Sequence, residues 1–311
     1  MKGLASFVMR GRFQALLVTI ASSGSLLFCW IGAAVVALVT LRKGLGPGAW
    51  LLMWGLLPAG ALAYIAGDTG PLALLLGTAL LAGVLRTTVS LPMAVLASVV
   101  VGGLTGLGVM AFAGAYLDQV VSYFGEFLAG LEQQLSQGGE QVVLARPDAT
   151  QVAGMMGAGS AMMAVICLLL GRYWQAALYN PGGFGTEFRA LYYPPAVAAV
   201  LALLAIALAS LGAAYRTWAL ICLIPLSFAG LALVHARVAH RGQGTGWLVG
   251  FYVAWLFFDP VKLLVLFAAI ADSWMNFRQK WAADKGTEVS RRDDARRDDA
   301  PRDDAPRDDD E

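Results

Sequence analysis

Ten apolar stretches fill nearly all of residues 4 to 280, most of them long enough to cross a bilayer. A hydrocarbon layer ~30 Å thick takes about 20 helical residues to span. Lipid offers no hydrogen bonds, so each backbone amide and carbonyl has to pair within its own segment. The chain is therefore expected to be all-α, a polytopic transmembrane helical bundle. With 58% hydrophobic and 14% charged residues, a 311-residue chain has too few charges to coat a soluble domain. The run after Lys2, Arg10 and Arg12 has no small-residue cleavage site and leads into further apolar segments, so the first helix is expected to remain as an anchor.

The spans fall at about 4–22, 25–41, 47–66, 70–86, 89–116, 150–172, 192–213, 216–236, 244–258 and 261–278. Ser22, Ser23 and Gly24 divide the first long run, and Asp259 with Pro260 divides the last. With both divisions, one face receives Lys2, Arg10, Arg12, Arg42, Lys43, Arg86, Arg172, Arg189, Arg237, Arg241, Arg278, Lys280 and Lys285. The other receives only Arg146, Arg216 and Lys262. That bias predicts cytoplasmic N- and C-termini. The count is thus 8–10 spans, since 13–40 and 246–273 read either as two spans each or as re-entrant segments.

Residues 1–285 form the integral membrane domain on this reading, with an external amphipathic segment at 118–146. There Val120, Phe124, Phe127, Leu128, Leu131 and Leu135 recur at helical spacing opposite Asp118, Glu126 and Glu132. Residues 286–311 are a charged, low-complexity tail, RRDDA RRDDA PRDDA PRDDD E from Arg291, expected to be disordered because it has no apolar residue larger than alanine with which to build a core. From Arg291 the tail carries a net charge of −4, which leaves +5 on the remainder.

Small residues four apart, Gly55/Ala59, Gly102/Gly106, Gly154/Ala158 and Gly157/Ala161, read as helix-packing seams, within the chain or between copies. Among ionisable groups, Asp259 and Lys262 flank Pro260, and Asp272 precedes Arg278 by one and a half turns; they are candidate intramembrane or interfacial charges. An arginine pairing is the simplest account of Asp272. The turn Asn180, Pro181, Gly182, Gly183, Phe184, with Glu187 and Arg189 after it, is a candidate partner-docking turn, or else a tight connection that Thr186 caps. His235 and His240 are five apart, a poor spacing for one metal on one helix. Ser160 has no activating histidine in evident reach, and Cys29, Cys167 and Cys222 are isolated. The sequence has no GxxxxGK[ST], no HExxH and no strand-following GxGxxG, so catalytic residues, cofactors and metals are all expected to be none, and the chain is expected not to be an enzyme.

Leu41-Arg42-Lys43-Gly44, the NPGGF…EFR turn at 180–189, and Ala271-Asp272-Ser273-Trp274 followed by Phe277-Arg278 together resemble the YybS-like family of uncharacterised bacterial inner-membrane proteins. The likeness covers roughly residues 5 to 282. That family is similar in turn to the S subunits of energy-coupling-factor vitamin transporters and to the rod-shape protein MreD. The resemblance implies an S-subunit-like bundle in the N-terminal half. S subunits commonly carry Ala-x-x-x-Ala in the first helix; here Ala15 is followed by Thr19 and Ala21 by Ser25.

The leading expectation is a non-enzymatic inner-membrane protein, related to transport, that binds a small apolar or amphiphilic solute between helices, with the 118–146 helix as a cap. A structural or assembly scaffold of the MreD type is the alternative, and an ion-coupled secondary transporter the next. The expected partners are membrane lipid, a small apolar solute and a membrane protein, and not nucleic acid.

Overall fold

The computed structural model describes residues 2–136 and 142–281, and these are helical with no strand among them. The charged repeat beyond 285 lies outside the described residues. Among the described residues the helices run α1 (Lys2–Arg10), α2 (Arg12–Ser23), α3 (Cys29–Lys43), α4 (Leu45–Ala66), α5 (Gly70–Thr88), α6 (Leu91–Leu96), α7 (Ser98–Phe112), α8 (Gly114–Leu135), α9 (Ala149–Tyr179), α10 (Gly183–Arg189), α11 (Pro195–Ser210), α12 (Ala213–His240), α13 (Thr245–Phe257) and α14 (Asp259–Met275), with a further helical stretch at 277–281.

Among the described residues, five helical stretches are long and apolar enough to cross a membrane: α4, α5, α6 and α7 together over Leu91–Phe112, α9 and α12. The chain is thus a multi-pass membrane protein by length and composition. The apolar pair α13 and α14 adds a sixth only if taken as one broken span, because the two meet at a bend of 112°. That angle is neither a kinked single helix nor a tight antiparallel hairpin.

Each of the ten stretches read from the sequence contains helix, but several are cut shorter than expected. The first, 4–22, is broken at Gly11, where a poor helix former stands between Arg10 and Arg12. The stretch at 89–116 turns at Ala97, and Ser90 caps its first piece by accepting from the Met93 amide. The run at 192–213 keeps only 16 helical residues.

α3 is the axis of the bundle. Every residue from Gly32 to Leu41 is buried, against α2, α4, α5 and α9. A helix that is apolar on all sides can be enclosed by other helices, and the small side chains Gly32, Ala33, Ala34 and Ala37 let them come close. On α9, a methyl at Gly171 would stand 2.9 Å from the Ala34 carbonyl oxygen.

The small-residue seams are filled from within the chain. A methyl at Gly157 would stand 2.5 Å from the Gly102 carbonyl oxygen, and one at Gly106 would stand 3.0 Å from that of Ala153, so α7 and α9 meet backbone to backbone. Gly55 abuts Thr19 and Ser23 of α2, and Gly154 abuts Trp218 of α12.

The amphipathic segment is α8. Its Leu117 is buried with Val109, Val152 and Ala153, and Val120, Val121 and Phe124 pack on that cluster, while Phe127 and Leu135 stay exposed. The chain after it returns along the helix: Leu144 donates its amide to Glu132 Oε1 at 2.7 Å, and Arg146 pairs with Glu132 at 3.5 Å. Asp148 and Gln151 then form a capping box that starts α9.

Candidate functional site

The 180–189 turn begins where Asn180 ends α9, and Gly182 takes a left-handed conformation (φ 87°) to launch α10. Thr186 does not cap that helix; its hydroxyl accepts from Arg189 Nη2 at 3.4 Å. Glu187 pairs with Arg172 of α9 at 2.6 Å, and Arg172 also reaches Gln175 at 3.2 Å. Phe184 stacks on Phe188 and meets Tyr173 edge-on, and Phe188 meets His235 of α12, whose Nε2 lies 2.8 Å from the Tyr252 hydroxyl. Glu187 is therefore turned against α9, whereas Arg189 lies over its own helix, and the turn exposes Asn180, Pro181, Gly182 and Thr186.

Asp272 and Arg278 come to the same end of the bundle. Arg278 Nε lies 3.1 Å from Asp272 Oδ2, a charge contact in which the N–H does not align as a hydrogen bond. Its Nη1 and Nη2 donate to the carbonyls of Arg189 and Ala229. Asp272 Oδ1 accepts from the Phe277 amide at 2.9 Å, and the Tyr192 hydroxyl donates to the Ser273 carbonyl at 2.9 Å. Two candidate groups remote in sequence, the turn and the Asp272–Arg278 pair, are thus one connected network. Asp259 and Lys262 are not part of it; they pair with each other at 2.8 Å, exposed, in the first turn of α14.

A second polar junction closes α3. The carbonyl of Leu41 accepts from Arg86 Nη1 at 2.7 Å and from Gln175 Nε2 at 3.2 Å, which satisfies one of the free carbonyls at that helix end.

An apolar recess runs between α5 and α7 at the opposite end from Arg86. Its volume is about 360 Å³, and its walls include Leu72, Leu76, Leu80, Leu104 and Phe112, with Thr69 and Thr105 as its hydroxyls. Thr69 Oγ1 is buried without a partner, whereas Thr105 Oγ1 donates to Ser160 Oγ at 3.4 Å. Beyond Thr69 in the chain, the ring of Tyr116 in the first turn of α8 lies against Gly67. Burial, and after it the Asp68 carboxylate, pushes the Tyr116 phenol above its ordinary range. Sequence reasoning missed Thr69, Thr105 and Tyr116. Only Thr69, just ahead of Gly70-Pro71 at a helix start, carried a local signal, and it does not act as a side-chain cap.

Cys29, Cys167 and Cys222 are all buried and free. No group of three or more His, Cys, Asp or Glu gathers as a metal site among the described residues. No protein-family model, curated protein or solved structure matches the chain.

Proposed function

We propose that this chain is a non-enzymatic protein of the bacterial inner membrane, with both ends cytoplasmic, that holds a small apolar or amphiphilic solute in the α5–α7 groove as part of an uptake system. The observation that carries the reading is the partnerless Thr69 hydroxyl at one end of a groove whose other lining hydroxyl, Thr105, is already engaged. A buried hydroxyl without a partner is costly, and a ligand's polar end would supply one. The volume lies at the lower end of the ~300–1,000 Å³ range of small-molecule sites, which suits a compact solute or a single short chain. The groove lies beside the bundle and not inside it, since α3 fills the centre, so entry is sideways from the lipid. The YybS-like resemblance, with its S-subunit relatives, leads the same way, and α8 is the cap of the groove on this reading.

Native mass spectrometry of the full chain, released gently from its membranes, tests this. A retained solute that is absent from Thr69→Val and from a groove-filling Gly108→Phe supports the reading. Retention of the same mass by both variants, or no retained solute at all, overturns it.

The scaffold reading draws on α13, which has no buried residue and on which a side chain at Gly246 or Gly250 would meet open space. The ion-coupled reading draws least support, because Asp259 and Asp272 are each already paired with a cation.

A further inference from the structure

We propose that the cleft between α2, the end of α3 and the first turn of α4 binds the phosphate headgroup of an anionic phospholipid. The cleft has a volume of about 260 Å³, and Arg12, Lys43, Gly46, Pro47, Trp50 and Leu51 line it, with no Asp or Glu among its lining residues. Neither Arg12 nor Lys43 forms a salt bridge or a side-chain hydrogen bond among the described residues. Three other cations at the same end are engaged: Arg42 lies 3.9 Å over the Tyr179 ring, Arg86 holds the Leu41 carbonyl, and Arg172 holds Glu187. Two cations facing one cleft without a carboxylate repel each other, and an anion between them relieves that.

The backbone adds to the same field. α4 is 22 residues long and starts with no side-chain cap, with Gly46 and Pro47 of its first turn in the cleft wall. The positive end of its dipole therefore opens on the cleft that Arg12 and Lys43 line, beside the end of α3, whose Leu41 carbonyl Arg86 and Gln175 already hold. Gly46 has no side chain to obstruct approach to that helix end.

The occupant is a lipid, and not a free anion, because an apolar track leaves the cleft along α4. Trp50, Met53, Trp54 and Leu57 share one face at helical spacing and are exposed, with Trp50 and Trp54 in edge contact at 6.4 Å. An acyl chain lies on that face while the headgroup sits between Arg12 and Lys43. The Trp50 indole stands at the level where the two meet, which is where such amphipathic rings settle in a bilayer. Basic pockets between spanning helices take anionic headgroups in this way.

The test uses the detergent-purified full chain, titrated with phosphatidylglycerol, phosphatidylcholine or inorganic phosphate and read by native mass spectrometry. The wild-type chain is expected to prefer phosphatidylglycerol over phosphatidylcholine, and Arg12→Gln with Lys43→Gln to weaken phosphatidylglycerol roughly thirtyfold. The charge-matched pair Arg241→Gln with Lys280→Gln is expected to leave that binding unchanged. Gly46→Asp provides a second variant at an exposed position where an added Cβ touches nothing, and its carboxylate is expected to abolish binding. Equal binding of the two lipids overturns the proposal, and so does phosphatidylglycerol binding that survives both Gly46→Asp and the Arg12/Lys43 change. Inorganic phosphate displacing the lipid at matched concentration overturns the lipid assignment in favour of a free-anion site. Gly108→Phe, which fills the α5–α7 groove, is expected to leave this lipid bound, so failure here is separable from failure of the solute reading.

Discussion

Arg278 Nη1 reaches the carbonyl of Arg189 at 2.5 Å, joining the end of α14 to the end of α10 across 89 residues of sequence. The same guanidinium touches Asp272, which is only 2% exposed, and the carbonyl of Ala229 on α12. One cation therefore neutralises a buried carboxylate and ties three helices together. Arg278→Met would strand that carboxylate, and breaking a buried pair from one side costs about 3–5 kcal/mol. The thermal midpoint of the detergent-solubilised protein is expected to fall sharply, and Asp272→Asn added to Arg278→Met is expected to restore part of it. No gain from the second change would show that the carboxylate carries no such penalty.

The α7–α9 contact is expected to be the most sensitive to one added methyl group. Gly157→Ala drives a carbon against the Gly102 carbonyl oxygen, and overpacking of this kind costs about 1–3 kcal/mol. Gly103→Ala, one residue along α7, meets nothing within 4 Å and is expected to be neutral or to stabilise by up to ~1 kcal/mol through helix propensity. Paired melting curves decide it; equal midpoints for the two variants would mean that the backbones are not in contact.

Helix existence and the membrane class were legible in the residues, but the position of each helix was not. In a soluble bundle the polar face of a helix marks the outside; here lipid and core are both apolar, so α3, buried from Gly32 to Leu41, and α13, with nothing buried, read alike by hydropathy. Side-chain size was the remaining clue, since α3 is rich in alanine and valine and α13 in aromatics. At the candidate site, Asp272 and Arg278 stood out because charge in an apolar run is conspicuous. The groove did not, because Leu72, Leu76 and Leu104 look like any lipid-facing leucine. Nor could Arg278's acceptors be read, since both are backbone carbonyls and carry no side-chain signature.

Glu187 and Arg172 hold the 180–189 turn against α9, and both side chains are about one-fifth to one-quarter exposed, at 25% and 19%. Solvent screens such a pair, so Glu187→Gln is expected to cost only about 1 kcal/mol globally. The local effect is larger, because α10 has no buried residue of its own and depends on this pair, on Phe184 and Phe188, and on Arg278. Limited proteolysis should therefore cut near Pro181 and Gly182 several-fold faster in Glu187→Gln than in the wild type, with the midpoint almost unmoved. Unchanged cleavage would place the anchoring of the turn in the aromatic contacts alone.

The charge bias predicts that the α8–α9 connection and the last described residues lie on opposite sides of the membrane. Cys29, Cys167 and Cys222 are buried, so an introduced thiol reports without a background that needs removing. Val143 is 87% exposed and adjoins the Glu132–Arg146 tie, so Val143→Cys offers an accessible thiol on the side that the charge bias predicts to be external. In intact cells a membrane-impermeant maleimide should label Val143→Cys. It should not label Lys280→Cys until the membrane is opened, because Lys280, beside Trp281, belongs to the arginine-rich end with Arg237 and Arg278. Labelling of both thiols in intact cells would place them on one side and overturn the prediction, and labelling of Lys280→Cys alone would invert the orientation. It would also turn the α5–α7 groove toward the cytoplasm and leave the Arg12–Lys43 cleft facing the less anionic leaflet.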